Sequence, residues 1–335
     1  MLDIKCVKIK TEEEIRSLWC DKNTVDVSIV CTTFNHESYI EDAIIGFLMQ
    51  ETNFAFEIII HDDASTDKTV ERIKYYSALY PNIIRPIYQT ENQYSKGAFK
   101  ATPYAATFAK GRYVAICEGD DYWCCSNKLQ IQYDSLNDNK DIHLCVHPAY
   151  NLFSDGSTSL MGKHCQSKTI LSCANFIEGD GGYVPTPSLF IRKESIATIP
   201  LWVYQAPVFD YYIQILSSFP NGAIYLPQIM CVYRRNAIGS WTSRNMNDYE
   251  KMAKLRLELL NSNQSCNAEL KSLKLYSSFL IADYSNFHKY ISSIKKSSAT
   301  YVYLKCLLKG FQVKFTLYPF IIMYRKLLRF IYRYT

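Results

Sequence analysis

Three times before residue 122 the chain runs through a short apolar, β-branched stretch and empties into polar or acidic residues. Val27-Ser28-Ile29-Val30-Cys31 leads into Thr32-Thr33-Phe34-Asn35-His36, Phe56-Glu57-Ile58-Ile59-Ile60 into His61-Asp62-Asp63, and Tyr113-Val114-Ala115-Ile116-Cys117 into Glu118-Gly119-Asp120-Asp121. Runs this short and this continuous read as strands covered on both faces. Between them the apolar spacing becomes helical. Ile40, Ile44, Phe47 and Leu48 predict a helix over 39–50, with Glu41 and Asp42 in its first turn; Val70, Ile73 and Tyr76 predict another over 68–79. A further strand is expected at 83–88 and a helix from the loop 89–97 to about 109, stopped by Gly111. Alternating strands and helices predict an α/β fold with a mostly parallel sheet, and ligands bind beyond the carboxyl ends of such strands. That edge is where the polar and acidic residues fall.

The second half is less regular. Strands are expected within 143–150, 183–191 and 223–233, a helix over 207–218, and a mainly helical pattern over 248–290. The twelve cysteines include no CxxC pair; those in apolar surroundings (Cys31, Cys117, Cys145, Cys231) read as buried, reduced thiols. The opening residues lack the apolar core of an export signal, so a cytoplasmic location is expected.

Charge is distributed unevenly. The net charge is +5, yet after Asp283 there are ten basic residues and no acidic one, so a mildly acidic body precedes a strongly basic tail. The tail's longest uncharged run, 315–324, is interrupted by Pro319 and falls far short of the ~20 residues that span a bilayer. Bases spaced among apolar pairs fit an interfacial segment on an anionic membrane over 285–335. RNA is the other anionic surface, but no RNA-recognition motif accompanies the bases, so no nucleic-acid partner is expected.

Two constellations carry chemistry. Carboxylates as dense as Glu118, Asp120 and Asp121 repel one another unless a cation lies between them, and Mg²⁺ or Mn²⁺ typically takes one or two carboxylates plus substrate phosphates. In Asp62-Asp63-Ala64-Ser65-Thr66-Asp67, Ser65 and Asp67 are expected to cap the next helix, leaving Asp62 and Asp63 to meet a ligand such as a nucleobase N–H. Neither GxGxxG nor GxxxxGK[ST] occurs.

Taken in order, VSIVCTTFNHESYIEDAI, EIIIHDDASTDKT, ENQ at 91–93 with Gly97, GRYVAICEGDDYW and KLQ at 128–130 resemble the family-2 inverting glycosyltransferases of the GT-A fold, of the bacterial surface-polysaccharide type. PTPSLFIRK, FDYY and VYRRNAIGSW extend the likeness more loosely to about residue 245. The resemblance implies a catalytic domain over 25–245, with a nucleotide-binding half (about 25–125) and an acceptor half (about 126–245), between an N-terminal segment 1–24 and a helical, basic extension 246–335. It implies sugar transfer from a nucleotide diphosphate, UDP favoured, to a hydroxyl of a lipid-linked oligosaccharide or surface-polysaccharide precursor. Thr33, Phe34, Asn35, Glu37, Asp62, Asp63, Asn92, Gly97, Glu118 and Gly119 would line the nucleotide pocket. Asp120, supported by Asp121, would hold Mn²⁺ or Mg²⁺. Trp123, Pro187, Ser188, Arg234 and Trp241 would face sugar or acceptor, with Arg234 and Arg235 neutralising the departing diphosphate.

Inversion by direct displacement requires one general base, and Asp210 holds the family's base position, with Glu178 and Asp180 as competitors. One departure stands out: where relatives carry YRxH, this chain has Asn236, a poorer metal ligand than histidine. A nucleotidyltransferase would carry a glycine-rich basic loop after the first strand, and residues 33–37 contain neither Gly nor Lys. A non-catalytic nucleotide-sugar-binding or membrane scaffold is the remaining rival, and Asn236 is its foothold.

Overall fold

The computed structural model describes residues 4–97, 99–237, 240, 248–271 and, beyond these, 275–276, 278–283, 285–286 and 289. After a short capped helix, α1 (Glu12–Ser17), come β1 (Val25–Thr33), α2 (Ile40–Leu48), β2 (Ala55–Asp62), α3 (Thr69–Leu79), β3 (Ile84–Tyr88), α4 (Ala101–Ala106) and β4 (Tyr113–Glu118). β1 pairs in parallel with both β2 and β4, and β2 with β3. Every residue of β2 is buried, which is why its sequence is a continuous apolar run rather than an alternation. On one face Ile29, Cys31, Ile58 and Ile60 join Ile44, Phe47 and Ile73; on the other Val30, Ile59 and Ile116 meet Ala105 and Ala106. The register sets Thr33 opposite Asp62 and Thr32 opposite Glu118, so the polar strand ends come level at one edge.

After β4 the chain makes β5 (Tyr122–Trp123), α5 (Lys128–Asn137), β6 (Leu144–Val146), β7 (Ala149–Leu152), β8 (Thr158–Met161), β9 (Thr169–Leu171) and α6 (Cys173–Gly179). Then follow β10 (Phe190–Arg192), α7 (Lys193–Ala197), α8 (Leu201–Gln205), α9 (Asp210–Ser218), β11 (Ala223–Tyr225), β12 (Cys231–Arg234) and α10 (Tyr249–Leu270). The main sheet has the order β3-β2-β1-β4-β10-β6-β11-β9, and β5-β12-β7-β8 form a second, smaller one. β10 runs antiparallel between β4 and β6, β11 is parallel to β6, and β9 is antiparallel to β11. α2 lies so close to β5 that a Cβ at Gly46 would sit 2.8 Å from the Trp123 carbonyl oxygen.

Several expected elements differ at prolines, which cannot donate to a ladder. The expected strand 143–150 splits at His147-Pro148 into β6 and β7, which belong to different sheets. The strand expected within 223–233 likewise divides into β11 and β12 around Pro227. Within 183–191 only β10 is extended, because Pro185 and Pro187 shape a 3-10 turn at Thr186–Ser188. The helix expected to reach residue 109 ends at Ala106. Cys31, Cys117, Cys145 and Cys231 are buried free thiols, as read from their surroundings. Among the described residues no helix is long and apolar enough to cross a membrane. The tail beyond residue 289 lies outside the described residues.

Candidate active site

β4 ends in the carboxylate turn. Gly119 N–H donates to the Thr32 carbonyl (2.9 Å) and Asp121 N–H to that of Glu118 (3.1 Å). The turn fits only a glycine at 119: a Cβ there would lie 2.9 Å from the Thr33 side chain and 3.0 Å from His36 Nδ1. Glu118, Asp120 and Asp121 each place a carboxylate oxygen within 4.8 Å of the others. Burial, then Asp120 and Asp210, push the Glu118 carboxyl up to about 8. Asp121 is raised well above the carboxylate range by burial and by Asp120 and Glu118, with Arg234 pulling the other way. Such a cluster is costly without a cation. Asp121 Oδ1 accepts the Arg234 N–H (2.8 Å), whereas its Oδ2 is buried with no hydrogen-bond partner. Three hard oxygen donors with one of them orphaned fit Mg²⁺ or Mn²⁺. Expected as supporting, Asp121 is thus the most buried of the three and carries the orphaned oxygen.

The loops after β1 and β2 are laced together. Asn35, in the left-handed region at φ 56°, donates its N–H to Ser65 Oγ (2.8 Å) and accepts the Thr66 N–H at Oδ1 (2.8 Å). Glu37 N–H donates to Asp67 Oδ2 (3.0 Å), and Glu37 Oε2 accepts from Lys68 N–H (2.9 Å). Asp67 also takes the Thr69 N–H at the start of α3 (3.0 Å), as its capping role requires. Ser65 does not cap that helix. Its hydroxyl and N–H donate instead to the two oxygens of Asp62, a fully buried carboxylate that burial raises above its ordinary range. Asp63, also buried, receives Gln93 N–H (2.8 Å) and Tyr94 N–H (3.0 Å), and its carbonyl receives Asn92 Nδ2 (3.3 Å). Both aspartates therefore hold the loops after β2 and β3 in shape. Phe34 is half-buried beside Thr33, whose Oγ1 is buried without a partner, and Gly97 turns the chain at φ 104°.

Asp210 opens α9. Its Oδ1 accepts the Tyr211 N–H (2.9 Å) and its Oδ2 the Thr186 hydroxyl (3.2 Å), while burial raises its carboxyl above the usual range. The competing acids are engaged elsewhere. Glu178 accepts from Ser278 (2.8 Å), and Asp180 is paired with Arg256 (3.4 Å) and Lys289 (2.6 Å). Burial alone would raise Asp180, but those two cations bring it below the ordinary range. Both acids thus anchor the C-terminal helical residues.

Three expected sugar or acceptor contacts move into the core. Trp123 is wholly buried, its indole N–H donating to the Pro187 carbonyl (3.0 Å). Pro187 is itself buried, and Ser188 is sealed with its hydroxyl on the Pro185 carbonyl (2.6 Å). None of the three offers a face to a sugar. Arg234 lies between the Tyr39 and Tyr122 rings, donating to Asp42 and to the Asp120 carbonyl (2.7 Å). The guanidinium expected to face the diphosphate is thereby held against the carboxylate turn. Arg235 turns away to Asn151 (2.9 Å). Trp241 lies outside the described residues.

Two residues at the site escaped the sequence analysis. Thr186 gave only the signal of a hydroxyl between prolines. Lys100, half-buried with its charge felt by Glu258 and Asp210, stood at the start of the helix expected after the loop 89–97, with no sign that it faced an acid.

The profile described as Glycosyl transferase family 2 matches residues 28–196, half of the chain. An uncharacterized protein of Mycobacterium tuberculosis is 36% identical over 222 residues, 65% of this chain and 61% of its own length. The chain therefore spans about three fifths of the curated relatives it matches over the longest stretch. The UDP-Glc:alpha-D-GlcNAc-diphosphoundecaprenol beta-1,3-glucosyltransferase WfgD of Escherichia coli is 31% identical over 110 residues, 33% of this chain and 40% of that protein. Of solved structures, S. aureus TarS 1-349 in complex with UDP-GlcNAc superposes with a TM-score of 0.53 at 17% identity, over 79% of this chain and 81% of that one. The mannosyltransferase PcManGT from Pyrobaculum calidifontis, in complex with GDP-Man and Mn2+, superposes at 0.52 and 13%, over 89% and 84%. The two superpositions speak for a shared GT-A fold, and with the matched profile and the carboxylate turn they have one consequence: this chain belongs to glycosyl transferase family 2.

Proposed function

We propose that this chain is an inverting glycosyltransferase that moves a sugar from a nucleotide-diphosphate sugar, a UDP-sugar by preference, to a hydroxyl of a lipid-linked oligosaccharide or surface-polysaccharide precursor. The observation that carries the reading is the carboxylate cluster at the end of β4, three oxygen donors within 4.8 Å of one another with Asp121 Oδ2 buried and unpartnered, in a chain that also holds the half-buried Asp210 carboxylate on the Thr186 hydroxyl and Tyr211 N–H. Family membership supports transfer, and the E. coli relative, named for a UDP-sugar donor and a diphosphoundecaprenol-linked acceptor, supports the substrate classes.

In this reading Asp120 and Asp121, with Glu118 beside them, hold Mg²⁺ or Mn²⁺. The cation, when bound, supplies charge that stabilises a departing diphosphate. The laced loops after β1 and β2, with Thr33, Phe34, Asn35 and Glu37, wall the nucleotide pocket, and Asp62, Asp63, Asn92 and Gly97 keep those walls in shape. Arg234 fixes the carboxylate turn through Asp121 Oδ1 and the Asp120 carbonyl. Asp210 takes the proton of the acceptor hydroxyl as that oxygen bonds to the anomeric carbon, and the bond from that carbon to the diphosphate oxygen breaks, giving inversion. The basic tail, 285–335, docks the enzyme on the anionic inner face of the cell membrane.

Calorimetry with nucleotide diphosphates and nucleotide sugars, with Mn²⁺ and with chelator, tests the donor half. Metal-dependent binding of one nucleotide class is expected; no binding under either condition sinks the reading and favours a scaffold. Flotation with anionic vesicles, before and after removal of 290–335, tests the tail, and equal flotation of both would remove the membrane from the proposal.

A further inference from the structure

We propose that Thr186 is the positioning residue of the general base, and that a buried set of three side chains, Trp123, Lys128 and Gln132, exists to hold it there. The inference rests on the assignment of Asp210 as base.

The turn 185–188 has no slack. Each of its four carbonyls is taken: that of Pro185 by Ser188 N–H (3.0 Å) and hydroxyl, that of Thr186 by Leu189 N–H (3.1 Å), that of Pro187 by Trp123 Nε1 (3.0 Å), and that of Ser188 by Gln132 Nε2 (2.9 Å). Pro185 and Pro187 fix φ on either side of Thr186, and a β-branched side chain has few χ1 choices. Pro185, Pro187 and Ser188 are buried; Thr186 alone of the four is partly exposed, and its hydroxyl meets Asp210 Oδ2 at 3.2 Å.

The support beneath it is unusual. Lys128 is fully buried with no carboxylate partner among the described residues; its ammonium lies 3.9 Å from the Trp123 ring centre and donates to Gln132 Oε1 at 2.6 Å. Burial pushes its amine down to about 8, so holding the charge there is costly. What the lysine secures is direction. An ammonium only donates, so Gln132 must turn its oxygen toward Lys128 and its Nε2 toward the carbonyls of Ser188 and Cys145. A glutamine free to flip would leave Ser188 without its donor. The same Trp123 that carries the lysine holds Pro187 and lies two residues past Asp121, so the carboxylate turn and the base turn are fixed from one buried point.

With Oδ1 held by its own helix through Tyr211 N–H and Oδ2 by Thr186, the Asp210 carboxylate cannot rotate about its Cβ–Cγ bond, and each oxygen keeps a lone pair for the incoming hydroxyl. Without Thr186 one of those two ties is gone. Misplacement of a reacting group on that scale can cost on the order of 100-fold in rate.

The experiment compares Thr186→Val, which keeps shape and removes the hydroxyl, with Thr186→Ser, which keeps the hydroxyl, and with Asp210→Asn. kcat and both KM values are measured at a temperature where nucleotide binding shows each variant folded. For Thr186→Val the expectation is a loss in kcat of about 10–100-fold with both KM values unchanged; Thr186→Ser should stay within about threefold of the parent. A parental kcat in Thr186→Val, or a loss that Ser fails to restore, overturns the positioning role while an inactive Asp210→Asn leaves the base assignment standing. Full activity in Asp210→Asn overturns both.

Discussion

The two halves of the main sheet are built on different plans. From β1 to β4 the strands are parallel, five to nine residues long, and separated by α2, α3 and α4. From β10 to β9 each strand is three residues long, orientations are mixed, and the chain leaves twice for the second sheet. The first half sets its functional groups by strand register, so that Thr33, Asp62 and Glu118 come level without help from side chains. The second half sets Asp210, the proposed base, by side chains gripping a turn. Register tolerates neighbours poorly and side-chain grip tolerates them well, so the halves should fail differently.

Exchange of the two acids breaks the comparison most sharply. Asp120→Asn should remove both metal-dependent nucleotide binding and transfer, whereas Asp210→Asn should cut turnover by about 10²–10⁴-fold and leave donor binding as it was. Calorimetry beside a transfer assay separates them, and equal loss of donor binding in both variants would erase the division of labour. Next is Gly119→Ala. With Thr33 and His36 inside contact distance of the new Cβ, it should cost about 1–3 kcal/mol and weaken nucleotide binding, read by chemical denaturation and calorimetry. In the second half, Asp180→Asn removes the ion pairs with Arg256 and Lys289 and should lower stability by about 1 kcal/mol, with faster amide exchange in α10. The smallest effect belongs to Arg112→Ala at the far end of β4. The arginine of its pair with Asp26 is more than half exposed, though Asp26 is only 18% so, and about 0.5–1 kcal/mol is expected by thermal denaturation.

The same difference decides what could be read from the amino acids. β1, β2 and β4 were legible because helices on both faces demand continuous apolar runs, and their acidic ends followed directly. β8, exposed along most of its length, carries no apolar alternation to betray it. β6 and β7, or β11 and β12, looked like single strands because apolar character continues across the prolines that part them. The carboxylate turn was legible from dense acids placed at the end of an apolar run. That Trp123, Pro187 and Ser188 support the site from below rather than line it was not, since a sequence gives proximity to a site and not the side from which a residue approaches it.

The reversal of β10 has a consequence for how such a protein can change. A parallel neighbour of β4 would need a crossover to return the chain to the catalytic edge, and its length would be set by the helix that covers the sheet. An antiparallel β10 begins at that edge, so the segment feeding it, residues 180–189, passes Asp210 at Thr186 on its way in. Residues added before Pro185 would reshape the surroundings of Asp210, the proposed base, while no strand shifts register. One reversed strand leaves the surroundings of Asp210 open to drift or to engineering, beside a carboxylate turn that strand register holds still.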